Sequence, residues 1–246
     1  MEFSFQIRVL DQANQNVYIL DLPGVGESDK PKRPYKIEDL DLFLERFIAT
    51  VIKDRTTVVA ESLMTASALK VSSLRPDLIR RLVLLNPSGV SSLDSPPSGR
   101  EQQLYDRLFN DENASTQFYR NLLVDNSLKY FLRFGFYDDS LVDESLLNDF
   151  RVMRENIDQK YLTLSFVGGQ LYRPFKDSSE NSFVPTLLIF GKEYENFGDN
   201  KASTADDFKA IRPDFEYLEI EKSGSSVQRE KPVETTGAIL NFSVKD

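Results

Sequence analysis

Residues 57–66 read TVVAESLMTA. β-Branched residues and an alanine lead into Glu61 and a single serine, and the chain then turns rich in alanine and leucine. Branched side chains favour extended backbone, so 57–60 is predicted as a strand. From Ser62 to Leu74 the composition is helical, with Ala66, Ala68 and Leu69 suited to lying on a sheet, and Arg75-Pro76-Asp77 ends the run. Ser62 therefore sits on a strand-to-helix turn, a placement that presents a serine hydroxyl as a nucleophile. Yet the 246 residues include no histidine, the residue that ordinarily takes the proton from such a serine.

Working outward, the same alternation continues on both sides. VYILD at 17–21 reads as a buried strand feeding LPGVGESDKPKRP, where prolines and glycines forbid regular structure. In 37–53, Leu40, Phe43, Leu44, Phe47, Ile48, Val51 and Ile52 form one helical stripe. RLVLL at 81–85 is the next strand, ended by NPSG. Strand–helix alternation of this kind implies a parallel sheet covered by helices. SSLDSPPSG at 91–99 reads as a linker, and 100–172 has helical spacing throughout, as an all-helical insertion would. Its aromatics, among them Tyr105, Tyr119, Phe131 and Tyr137, read mainly as core. The α/β pattern resumes with a strand at 186–190, a helix at 202–211, a strand at 215–220 and a helix at 232–242.

Composition narrows the function classes. A net charge of −9 with a pI near 4.8 argues against a general nucleic-acid binder and against an anionic membrane surface. With neither cysteine nor histidine, disulfides, thiolate nucleophiles and the standard zinc sets are excluded. Asp138, Asp139, Asp143 and Glu144 match no calcium-loop spacing and read as helix-start acids. Gly24 and Gly26 lack the spacing of a phosphate loop and read as a plain turn. No cofactor or metal is expected. No signal peptide or long apolar span is seen, so a soluble cytoplasmic protein is the expectation.

Five segments in order resemble the α/β-hydrolase superfamily, in its esterase- and lipase-like group with a helical cap. They are VYILDLPGVGESDKP, VVAESLMTASAL, RLVLLNPSGV, PTLLIFGKEYE and SGSSVQREKPVETTGAILNF. The resemblance implies a mostly parallel α/β-hydrolase-type sheet built from 1–98 and 173–246, with 99–172 as a cap or lid. It puts Ser62 at the nucleophile position. Ser225, just after Gly224, stands where the family has its histidine. Tyr194, three residues after Gly191, stands where the family has its acid, with Glu193 and Glu195 flanking it as stand-in acids or bases. Glu61, before the serine, is a further stand-in base, and Met64 and Thr65 replace the usual small residues of the turn. Glu61, Leu63, Gly24 and Ser88 are expected to line the cleft.

The resemblance also implies an oxyanion loop upstream of VYILD, on a strand lying between the VYILD and TVVA strands. Few residues precede Val17, so the chain reads as N-terminally short. Phe3–Leu10 either fills the gap as a strand, from its alternation of Phe3, Phe5, Ile7 and Val9, or forms the helix that follows the missing loop.

Three functional readings follow. The first is a catalytically degenerate member, a pseudoenzyme, whose cleft holds a small apolar or ester-like molecule. In it Ser62 is a relic that caps the following helix, and Ser223–Ser226 is a turn rather than an anion site. The second is an active serine hydrolase of carboxylic esters, using Ser62 with a non-histidine base such as Glu61, Glu193 or Glu195. The third is an interaction protein whose cap aromatics dock a partner.

Overall fold

The structure, a computed structural model, describes residues 3–90, 99–194 and 204–245. Strands β1 (Thr56–Glu61), β2 (Ile79–Leu85), β3 (Thr186–Gly191) and β4 (Glu216–Ile220) form one parallel sheet in that order. Val58 pairs with Leu82, Leu84 with Leu188, and Ile189 with Leu218. From Leu82 and Leu187 onward the two central strands are apolar on both faces, as a sheet buried on both sides requires. Leu82, Leu84, Leu188 and Phe190 point into one layer and Val83, Leu85, Leu187 and Ile189 into the other.

Helices α1 (Ser4–Gln12), α2 (Ile37–Phe47) and α3 (Met64–Leu74) precede the insertion. α2 and α3 cover the first face, where Leu44, Ile48, Ala68, Leu69 and Val71 meet the strands. The small residues of α3 let it lie close: Thr65, Ser67, Ala68 and Leu69 are fully buried. α2 starts on Lys36, whose amide donates to the Asp39 carboxylate at 2.8 Å, and runs into a π-turn over Ile48–Ile52 that closes at left-handed Lys53.

The insertion between β2 and β3 is helical, as its spacing predicts, with α4 (Gly99–Asn110), α5 (Glu112–Leu122), α6 (Asp125–Gly135), α7 (Glu144–Glu155) and α8 (Lys160–Val167). Among its aromatics Tyr105, Tyr119 and Phe136 are buried, while Tyr130, Phe131 and Tyr137 are exposed, so the mainly-core reading holds for part of the set. Asp138 caps a short 3-10 turn by accepting from the Ser140 amide, and Asp143 caps α7 by accepting from Leu146, both at 2.9 Å. These acids are helix starts, as their spacing suggested. Helices α9 (Phe175–Ser179), α10 (Ala205–Ile211), α11 (Val227–Glu230) and α12 (Pro232–Ser243) complete the chain. α12 covers the second face with Ile239 and Phe242.

One sequence expectation is overturned, and the choice between the two alternatives for Phe3–Leu10 is decided. VYILD is not a strand: it has no regular structure and no ladder partner, with Val17, Tyr18 and Ile19 exposed, the Tyr18 ring edge-on to Phe47, and Leu20 tucked against the core. A strand needs a ladder partner, and β1 bonds only β2 among the described residues. Phe3–Leu10 does not fill the gap beside β1. It is helical, and α1 lies against α12, where Phe3 joins the cluster of Val227, Ile239 and Phe242. Among the described residues no helix is long and apolar enough to cross a membrane.

Candidate active site

Ser62 follows the last residue of β1 with φ +47°, in the left-handed region that non-glycine residues avoid. Three contacts impose this conformation. The Ser62 amide continues the ladder by donating to Leu85 O at 3.0 Å. Its carbonyl accepts from the Thr65 amide at 3.1 Å and from the Thr65 hydroxyl, which opens α3. The chain thus reverses from strand to helix within one residue, despite Met64 and Thr65 in the small-residue places. Met64 is accommodated by packing between two apolar clusters. The Ser62 side chain is exposed, and its hydroxyl makes no hydrogen bond among the described residues. That corrects the relic-cap reading: the carbonyl, not the hydroxyl, engages the helix.

The residues expected to line a cleft each make contacts of their own. The Ser88 hydroxyl lies 3.4 Å from Ser62 O, a long and weak contact. Leu63 packs on the cluster of Tyr35, Ile37, Tyr161 and Leu162. Gly24 faces the same cluster: a Cβ there would sit 2.9 Å from Tyr35 Cζ and 3.0 Å from Leu162 Cβ, at φ +97°. The loop beyond it folds around its own acid, because Asp21 accepts from the Glu27 amide at 2.9 Å and a Cβ on Gly26 would strike that carboxylate. No phosphate cradle is left there. Glu61 ends β1 and is half-buried and partnered.

The positions of the implied base and acid are turned to other work. Ser225 donates to Gly135 O from its amide at 2.7 Å and from its hydroxyl at 3.0 Å, so it is bound to the insertion. Glu193 and Ser223 bond reciprocally: the Glu193 amide donates to Ser223 O, and the Ser223 amide to the Glu193 carboxylate, both at 3.1 Å. The Gly224 amide donates to Glu230 at 2.5 Å. Two amides of the Ser223–Ser226 turn, those of Ser223 and Gly224, are therefore taken by the chain's own carboxylates. Tyr194 is half-buried and partnered, its amide donating to Gly191 O at 3.3 Å. Glu195 lies outside the described residues.

Three residues that sequence reasoning passed over organise this region. Asn86, left-handed at φ +39° just after β2, accepts from the Gly191 amide at 3.0 Å and donates to Ser225 O at 2.5 Å. It thereby ties together the two loops that carry the acid and histidine positions. Glu230 and Gly135 are the other two. The one available signal was Asn-Pro at 86–87, a pair that favours a tight exit from a strand. Among the described residues, no cluster of acids could hold a metal ion.

A strand, a left-handed serine and a helix in immediate succession form a nucleophile elbow. The family model described as alpha/beta hydrolase fold matches residues 2–232. The chain belongs to the α/β-hydrolase fold family. No curated protein gives a significant match. Solved structures of this α/β-hydrolase fold do. An esterase from Exiguobacterium antarcticum superposes with TM-score 0.74 at 17% identity, over 99% of this chain and 87% of that one. An enol-lactonase from Burkholderia xenovorans gives 0.71 at 16% identity, over 99% and 86%. A serine hydrolase involved in carbazole degradation gives 0.69 at 19%, over 90% and 76%. At these identities the likeness establishes the fold alone.

Proposed function

We propose that this α/β-hydrolase-fold protein is a non-catalytic member, whose helical insertion acts as a cap over a cleft beside Ser62 for a small apolar or ester-like molecule. One observation carries the reading: the residue at the histidine position, Ser225, spends both amide and hydroxyl on Gly135 O, in a chain without histidine. A serine hydroxyl takes no proton near neutral pH, and Glu193 is committed to the Ser223 amide. Leu63, next to Ser62, is half-buried on an apolar cluster that includes Tyr35 and Leu162, which supports an apolar occupant.

The experiment is ester turnover and covalent labelling on the purified full chain. A short-chain p-nitrophenyl ester and a serine-directed fluorophosphonate are the probes, with Ser62→Ala as control. The expected result is no turnover and no labelling at Ser62. Turnover abolished by Ser62→Ala would overturn the reading.

A second reading, an ester hydrolase using Ser62 and a carboxylate base, is favoured by one observation. The serine keeps the strained backbone and the unbonded, exposed hydroxyl of a nucleophile. Strain of this kind gathers at functional sites. The same assay decides between the two.

A further inference from the structure

Three helices begin at one cavity. Ser4 and Phe5 of α1, Ser145 and Leu146 of α7 and Pro232 of α12 line a hollow of about 250 Å³, and each stands in the first turn of its helix. At ~30 Å³ for each water of the liquid, this is room for about eight waters, the bulk of a small aromatic acid. Phe5, Phe136, Leu141 and Leu146 make its apolar wall. Neither Ser62 nor Leu63, Ser88 or Gly24 lines it, so it is separate from the cleft beside Ser62.

The polar side of the cavity favours negative charge. A helix start carries amides with no acceptor inside the helix, and the positive end of the helix dipole. α7 and α12 answer this with acids of their own. The Asp143 carboxylate takes the Leu146 amide at 2.9 Å, and Glu144 and Glu234 stand in the two first turns. α1 does not: its first turn holds no acid, and no side chain among the described residues caps it. Arg229 adds a full positive charge to the lining and stands 3.7 Å from Asp149, beyond hydrogen-bond reach. Glu230, next to it, is engaged by the amides of Tyr137, Asp138 and Gly224. Gln228, also in the lining, is 1% exposed and held in place, since Gln6 Nε2 donates to its carbonyl at 2.8 Å. An apolar hollow with a cation and an uncompensated helix start beside it suits an anion carried on an apolar body.

We propose that this cavity is a second binding site, for a small aromatic carboxylate. Its carboxylate lies between Arg229 and the start of α1, and its ring on Phe5, Phe136, Leu141 and Leu146. The inference rests on the cavity and stands whether or not Ser62 is active.

Calorimetric titration of the full chain with 1-naphthoate tests it, with 1-naphthamide as the uncharged counterpart. Naphthoate should bind one to one, and about ten-fold more tightly than naphthamide. Arg229→Gln should weaken naphthoate by about ten-fold and leave naphthamide within about two-fold. Ser145→Asp is a second variant: an acid in the first turn suits α7, so the fold is kept, while its charge at the cavity should weaken naphthoate by about three-fold or more. Bound naphthoate should slow hydrogen exchange at residues 4–7 and 144–147. Absence of saturable binding, equal affinity for acid and amide, or full naphthoate affinity in both variants overturns the site. Protection at residues 62–65 instead also overturns it, because the probe would then occupy the cleft beside Ser62.

Discussion

The hydroxyl of Ser225 lies 3.0 Å from the carbonyl oxygen of Gly135 and donates to it. The two backbones meet so closely that a Cβ on Gly224 would stand 2.4 Å from that same oxygen, and one on Gly135 would stand 2.7 Å from Ser225 Oγ. The position that the resemblance assigns to the histidine is therefore packed against insertion backbone. A larger side chain at 225 would have to displace the contact with Gly135.

Ser225→His, alone or with Tyr194→Asp, is accordingly expected to give no esterase activity and to lower stability by about 1–3 kcal/mol, from lost hydrogen bonding and overpacking. Thermal unfolding and a p-nitrophenyl ester assay read both effects. Gly191→Ala should be worse, because its Cβ would meet Gly224 O at 1.8 Å and Ser223 O at 2.5 Å, both backbone atoms. A loss of about 3 kcal/mol or more is expected there. A stability near wild type in Gly191→Ala would mean that the two loops are not locked together.

The elbow yields a different pattern. Ser62 holds φ +47°, and its hydroxyl bonds nothing among the described residues. Ser62→Ala should leave stability within about 0.5 kcal/mol of wild type, since no cap is lost. Ser62→Gly should stabilise by up to about 1 kcal/mol by releasing left-handed strain. Ser62→Val should destabilise by about 1–2 kcal/mol, because a β-branched residue tolerates that backbone poorly. Urea titration of the three variants ranks them, and a loss of about 1 kcal/mol in Ser62→Ala would restore the capping role.

Much of the fold was legible in TVVAESLMTA and its neighbours because local and tertiary preferences agree there. β-Branched residues pair in the sheet, and small residues pack α3 against it. The insertion was legible as helical for the same reason. VYILD was misread because its composition states a preference for extended backbone but not the presence of a partner strand. Phe3–Leu10 was ambiguous between periods of two and of 3.6, and packing against α12 decides for helix. At the site, the strand-to-helix turn at Ser62 was readable. The bonds of Asn86 to residues 191 and 225, and of Glu230 to residues 137 and 138, join segments far apart in sequence and leave no local trace.

The unpaired segment before the first loop carries its own consequence. Val17, Tyr18 and Ile19 are exposed on backbone without a ladder. β4, at one edge of the sheet, is guarded by Glu216 and Glu219, whereas β1, at the other edge, carries no charge from Thr56 to Ala60. Exposed apolar segments and uncharged edges favour association between chains. Val17→Lys and Ile19→Lys should lower light scattering on heating or concentration. They should shift denaturant stability by no more than about 0.5 kcal/mol. Scattering equal to wild type in both would remove this segment from any association.

Glu112 gives the protein a measurable acid response. Lys160, fully buried, bonds its carboxylate, Lys32 does so at 2.6 Å, and the Tyr161 hydroxyl donates to it at 3.0 Å. Bonding from Lys160 first, and then Lys32, pulls the Glu112 carboxyl down to about 2 from an ordinary 4.5. Between those values the unfolded chain binds a proton that the folded chain refuses, so folding weakens as pH falls. The contribution is complete above about pH 4.5 and gone below about pH 2. It is modest, since the Glu112 side chain is half exposed and water screens the pair. Urea titrations of wild type and Glu112→Gln at pH 6, 4 and 2 should therefore show the largest difference in stability at pH 6 and convergence at pH 2. A difference that stayed constant across that range would assign the loss to packing around Lys160 rather than to the carboxylate's charge.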